Sequence, residues 1–107
     1  MEIIPDQESV DVLKHRAVAL LIEKGPQDQE AIGALIAWTE RKEQEVEANR
    51  TPETEVAFEV ERAELYFEAG LPKEAREAFI DAIDLAENHG LDNLANDIAV
   101  RVLALKI

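Results

Sequence analysis

Hydrophobic residues recur along the chain at spacings of three and four, which is the period of an α-helix, and no segment competes with the alternating pattern of a strand. Short breaks that contain glycine, proline or a capping residue separate these stretches. The pattern predicts five helices, at about residues 9–24, 28–49, 52–69, 72–89 and 92–106. We therefore expect one all-α domain, spanning residues 1–107 and built as an antiparallel stack of about five helices.

The breaks carry signals that begin or end helices. Asp6 or Ser9 is the expected cap of the first helix, because its side-chain oxygen accepts hydrogen bonds from free N–H groups of the first turn. Gly25-Pro26 ends that helix, since proline cannot extend it. Thr51-Pro52 begins the third helix with a capping hydroxyl followed by proline. Asp92 is the expected cap of the fifth helix.

The first four helices form two hairpins, about 9–49 and 52–89, that resemble each other. Segment 20–25 aligns with segment 65–70 at a separation of 45 residues. After one extra residue in the first turn, Ala31 aligns with Ala75. A repeat of this length, with one helical hairpin per unit, is typical of solenoid stacks. A helix bundle that only looks repetitive is the alternative.

The second hairpin resembles a tetratricopeptide repeat over roughly residues 56–87. The small residues, aromatic residues and glycine of that family's pattern have counterparts here. They are Ala63, Tyr66, Gly70, Ala75, Phe79 and Ala82. Glu59 and Arg62 depart from the pattern, which usually has large apolar residues there, and Trp38 of the first hairpin stands where the family has a small alanine. The alternative is an alanine-rich hairpin of unrelated ancestry.

The resemblance implies that the first helix of each hairpin lines a concave groove. In the second hairpin the groove positions are Ala57, Val60, Glu64, Phe67 and Glu68. Their counterparts 45 residues earlier are Val12, His15, Ala19, Ile22 and Glu23. This lining is both apolar and acidic, which favours a basic, amphipathic peptide or helix as the ligand. The alternative is that two hairpins curve too little to bind a ligand tightly.

The fifth helix carries two apolar stripes on opposite sides. Leu91, Leu94, Val102 and Leu105 fall within about 40° of Ile98 on a helical wheel, and this stripe is expected to pack on the fourth helix. The opposite stripe consists of Val100, Leu103 and Ile107. Repeat stacks normally end in a polar face, so this second stripe predicts an interface, either of a homodimer or with another protein. If the helix instead lies between the two hairpins, both stripes are internal.

Charge narrows the class of partner. The 107 residues include 11 Lys and Arg against 24 Asp and Glu, a net charge of −13, and residues 98–107 are the least acidic stretch. Nucleic acids and anionic membranes require clustered basic residues, so neither is an expected partner. The N-terminus has no basic leader, and the longest apolar run, residues 17–22, is too short to span a bilayer. We expect a soluble, cytoplasmic protein.

Residues suited to catalysis or metal binding are sparse. The chain has no cysteine, which excludes thiolate ligands and nucleophiles. His15 follows Asp11 at ion-pair spacing, and His89 lies at a helix end, so neither indicates a catalytic centre. We expect no enzyme activity and no cofactor. The sequence favours a small acidic adaptor or scaffold that binds protein. The alternative is an acidic regulator that imitates nucleic acid and occupies a basic protein surface.

Overall fold

The computed structural model describes residues 8–107 and confirms the all-α, five-helix stack. The helices are α1 (Val10–Lys24), α2 (Gln29–Ala48), α3 (Pro52–Glu68), α4 (Pro72–Asn88) and α5 (Asp92–Leu105). Each boundary lies within one residue of the break that the sequence predicts, because glycine, proline and capping hydroxyls act locally. No strand occurs among the described residues.

Side-chain caps begin the first three helices. The Ser9 hydroxyl accepts a hydrogen bond from the Val12 N–H at 3.2 Å, and the Asp28 carboxylate accepts one from Ala31 at 3.0 Å. Thr51 begins α3 with a reciprocal pair of bonds to Thr54, which is a capping box. Asp6, the other candidate cap of α1, lies outside the described residues.

The turns before α4 and α5 have the same structure. This structure shows that the prediction of Asp92 as a helix cap is wrong. Gly70 and Gly90 adopt φ angles of 75° and 73°, and the following leucine N–H groups bond back to carbonyls of the preceding helix. Leu71 and Leu91 occupy the capping positions without any side-chain cap. Asp92 is therefore the first helical residue and not the cap, since the glycine turn already satisfies the end of α4.

Two hydrophobic clusters form the core, and α3 contributes to both. Leu65 of α3 and Ala69, the residue that caps the end of α3, pack with α1 and α2 around Trp38, in what we call the first cluster. Val56 and Ala63 of α3 pack with α4 and α5 in the second cluster. The second cluster is rich in alanine: it also contains Ala78, Phe79, Ala82, Ala86, Ala95 and Ile98. Because α3 buries opposite sides in different clusters, it is the central element that joins the two hairpins.

The helices contact mainly their neighbours in sequence, together with an α1–α3 contact. The molecule measures 46 × 31 × 18 Å, and its smallest dimension is about two helix diameters. Because α3 contacts α1 and faces α5 across a cleft, we assign α1, α3 and α5 to one layer, and α2 and α4 to the other. No helix within residues 8–107 combines the length and apolar character needed to cross a membrane.

Candidate binding cleft between α3 and α5

A cleft of about 490 Å³ lies between α3 and α5. The residues that line it come only from these two helices. They are Glu53, Val56, Ala57, Val60, Glu61, Glu64, Leu94, Asp97, Ile98 and Arg101. Both helices lie in the same layer, with α4 behind them, so the cleft opens on the side of the molecule away from α4.

The floor of the cleft is apolar and built on the second cluster. Val56 and Ile98 are almost fully buried, while Val60 and Leu94 are half-buried and pack against the same cluster. Positions 56 and 60 are one helical turn apart, as are 94 and 98, so each helix presents two apolar side chains to the cleft. The floor is therefore held rigidly by the packing of α3, α4 and α5.

The rim of the cleft is mostly acidic. Glu53, Glu61 and Glu64 stand on the α3 side, and Asp97 stands on the α5 side. Arg101 is the one basic residue of the lining, and its Nη1 lies 3.5 Å from Oε2 of Glu64 across the cleft. Both side chains are about half exposed, so water screens this contact strongly. The rim keeps a net negative charge beside the apolar floor.

Three of the five predicted groove residues lie in this cleft, and two do not. Ala57, Val60 and Glu64 line it, with Ala57 exposed and the other two half-buried. Phe67 is exposed but absent from the lining. Glu68 is also absent from the lining, and its carboxylate pairs with Nζ of Lys14 on α1 at 2.7 Å. The cleft therefore includes only part of the predicted groove.

On α1, the five residues predicted to extend the groove are all exposed: Val12, His15, Ala19, Ile22 and Glu23. Their spacing places them on one face of α1, but they do not line the α3–α5 cleft.

Sequence reasoning did not identify α5 as the second wall of the cleft. It placed Leu94 and Ile98 on the stripe that packs on α4, which the second cluster confirms, but it gave no role to Asp97 and Arg101. The order of the helices along the chain was the signal that could have identified this wall. In a two-layer stack the odd-numbered helices share a layer, so α5 becomes the neighbour of α3.

The sequence predicts three exposed apolar residues on the outer face of α5, and two of them are exposed in the structure. Leu103 is 78% exposed and Val100 is 64% exposed, so the two stripes of α5 are not both internal. Ile107 differs, since it is half-buried and packs against the second cluster. The helix ends at Leu105, and Lys106 adopts a left-handed conformation with φ 58°. The helical wheel therefore does not describe the position of residue 107.

The two histidines lie apart and outside the cleft. His15 is exposed on α1. His89 ends α4, and its Nε2 lies 3.6 Å from Oε2 of Glu55 at the start of α3. Among residues 8–107 no group of three or more histidine, aspartate or glutamate side chains is arranged to hold a metal ion.

Comparison of the chain with protein-family models, with curated proteins and with solved structures found no match.

Proposed function

We propose that this protein is a non-enzymatic, tetratricopeptide-like interaction module of the cytoplasm, which binds a basic, amphipathic segment of another protein and also associates with itself through α5. The observation that carries the proposal is the α3–α5 cleft, which combines a rigid apolar floor with an acidic rim. Ligand sites of proteins are typically concave and mostly apolar, with a few polar groups that fix orientation.

The chemistry of the cleft specifies the ligand. Val60 and Leu94 offer apolar surface to a leucine-like side chain, and Glu53 and Asp97 offer carboxylates to lysine or arginine on either side of it. A ligand cation can also replace Arg101 beside Glu64, because an exposed ion pair contributes only about 0–1 kcal/mol. An amphipathic helix with one basic face and one apolar face matches both the acidic rim and the apolar floor.

A direct test is titration of a labelled helical peptide, with leucine on one face and lysine on the other, monitored by fluorescence anisotropy. We expect Glu64→Lys to weaken binding about tenfold or more, because it reverses a charge on the rim. Ala57→Arg should weaken it similarly by filling the cleft with a cation. Ala57 is exposed, so this change leaves the core intact.

The matched control is Glu77→Lys on α4, an exposed position outside the cleft. It makes the same change of charge and should alter affinity little at physiological salt. If neither Glu64→Lys nor Ala57→Arg changes the affinity, the cleft is not the binding site.

An acidic regulator that occupies a basic protein is the second candidate, and one observation favours it. Five carboxylates of α4 form no ion pair with any other residue in the range 8–107: Glu74, Glu77, Asp81, Asp84 and Glu87. Such a surface attracts a basic partner over a distance, and salt screens the attraction. This candidate predicts that affinity falls steeply with salt and that Glu77→Lys weakens binding as much as Glu64→Lys.

A further inference from the structure

One surface of this acidic molecule carries no charge. On α5, five exposed residues fall within about 50° of a common line along the helix. They are Asn93, Asn96, Val100, Leu103 and Ala104, which we call the α5 strip. Leu103 and Val100 are the two most exposed large hydrophobic residues described in the structure, and they are neighbours on this strip. An exposed apolar patch that is set in a charged surface typically marks an interface.

The charges around the strip favour a second copy of the same chain as the occupant. Two molecules with a net charge of −13 repel each other over most of their surfaces. Residues 98–107 contain Arg101 and Lys106 and no acid, so the repulsion is weakest where α5 meets α5. The self-association also leaves the α3–α5 cleft free, because the strip and the cleft lie on different sides of α5.

The helix dipoles favour one direction of pairing. When two α5 helices lie antiparallel, with Val100 opposite the partner's Leu103, the positive end of each helix lies beside the negative end of the other, whereas a parallel pair places like ends together.

Resting on the self-association proposed above, we propose that the protein forms a two-fold symmetric homodimer by antiparallel pairing of the α5 strips, centred between Val100 and Leu103. A symmetric contact of this kind is self-complementary and closes after two copies. Helix α5 has 14 residues and is about 21 Å long. One helix face of this length is smaller than the roughly 800 Å² per partner of a stable interface. The dimer is therefore a weak one that forms as the concentration rises.

Sedimentation equilibrium over a range of concentrations tests the dimer. The wild-type protein should pass from monomer to dimer, and Leu103→Glu should raise the dissociation constant at least about tenfold, because the glutamates are buried twice across the symmetry axis. Ile22→Glu on α1 is the matched control, since Ile22 is 62% exposed, and it should leave the dissociation constant unchanged. Far-UV circular dichroism verifies that the variants remain helical.

Three results would overturn the proposal. One is a wild-type protein that remains monomeric at the highest soluble concentration. Another is equal weakening by Ile22→Glu. The third is equal weakening by Ile36→Glu, a change at an exposed position on α2, together with growth beyond dimers, because this result indicates head-to-tail stacking of copies.

Disulfide trapping tests the direction of pairing, and the chain suits it because it contains no cysteine. Val100→Cys and Leu103→Cys proteins are prepared separately, mixed and oxidised. Antiparallel pairing predicts that the mixed disulfide forms faster than either homodisulfide. Faster homodisulfides would instead indicate a parallel pair and reject the proposed geometry. Titration of the helical peptide against the Leu103→Glu monomer measures binding to the cleft without the dimer. A failure of the dimer proposal can therefore be distinguished from a failure of the proposed function.

Discussion

In the first hairpin, the space between the helices is filled by the indole of Trp38, whereas the aligned position of the second hairpin holds Ala82. Both side chains are buried, with exposures of 1% and 0%. A large side chain keeps neighbouring backbones apart, and alanine lets them approach closely. Accordingly α3 and α4 contact each other more extensively than α1 and α2 do. The same hairpin topology thus tolerates two solutions for its core.

The largest expected effect is that of Trp38→Ala. Trp38 is fully buried and its ring lies 6.0 Å from that of Phe58 on α3, so the change leaves a cavity between the hairpins. We expect a loss of about 3–5 kcal/mol in the free energy of unfolding. This is a large share of the roughly 5–15 kcal/mol of a domain of this size. Urea unfolding followed by circular dichroism measures it.

Trp38→Phe is the control for that prediction. The Trp38 Nε1 is buried without a hydrogen-bond partner among the described residues, so phenylalanine loses no hydrogen bond. Its cost should be well below that of alanine. Equal losses for the two variants would show that the volume of the ring is not what stabilises the first hairpin.

Ala82→Leu should have an intermediate effect, with the opposite cause. The residue is fully buried between helices that approach closely, so three added carbons overfill the second cluster. We expect destabilisation of about 1–3 kcal/mol in the same unfolding experiment. The same change at exposed Ala48, near the end of α2, should stay within about 0.5 kcal/mol. A neutral Ala82→Leu would mean that the second hairpin is not the more closely packed one.

The smallest effects are expected for three ion pairs that α3 makes with other helices, two of which join it to the first hairpin. Glu61 pairs with Lys42 of α2 at 2.5 Å. Glu64 and Glu68 pair with Arg101 of α5 and Lys14 of α1, at 3.5 and 2.7 Å. Each glutamate-to-glutamine change should cost less than about 1 kcal/mol, because exposed pairs are screened by water.

The three changes should nevertheless differ in a defined order. The side chain of Lys42 is only 15% exposed, so Glu61→Gln should cost the most and respond least to added salt. Unfolding measurements at low and high salt check this order. A larger cost for Glu64→Gln would indicate that α5 depends on its ion pair with α3 more than on the second cluster.

The sequence predicts the helices well because the signals that bound them are local. Gly25, Gly70 and Gly90 adopt positive φ angles, and the hydroxyl of Thr51 caps α3. Local chemistry also explains the two errors. A glycine–leucine turn already completes the start of α5, which leaves Asp92 inside the helix. The left-handed Lys106 turns Ile107 back toward the core.

The candidate site was less accessible to sequence reasoning. The groove positions Ala57, Val60 and Glu64 came from the resemblance of the second hairpin to a tetratricopeptide repeat, and they share one face of α3 that lines the cleft. The contributions of Asp97 and Arg101 depend on how α5 lies beside α3. That placement results from packing on α4 and cannot be derived from the period of α5 alone.

Trp38 gives the protein a built-in optical probe. It is the only tryptophan of the chain, and its indole is buried, with an N–H that has no hydrogen-bond partner among residues 8–107. Its fluorescence should be blue-shifted in the native state and move to longer wavelength when the first hairpin opens. The α3–α5 cleft contains no tryptophan. Emission therefore follows the integrity of the first hairpin, while ligand binding in the cleft needs a label of its own.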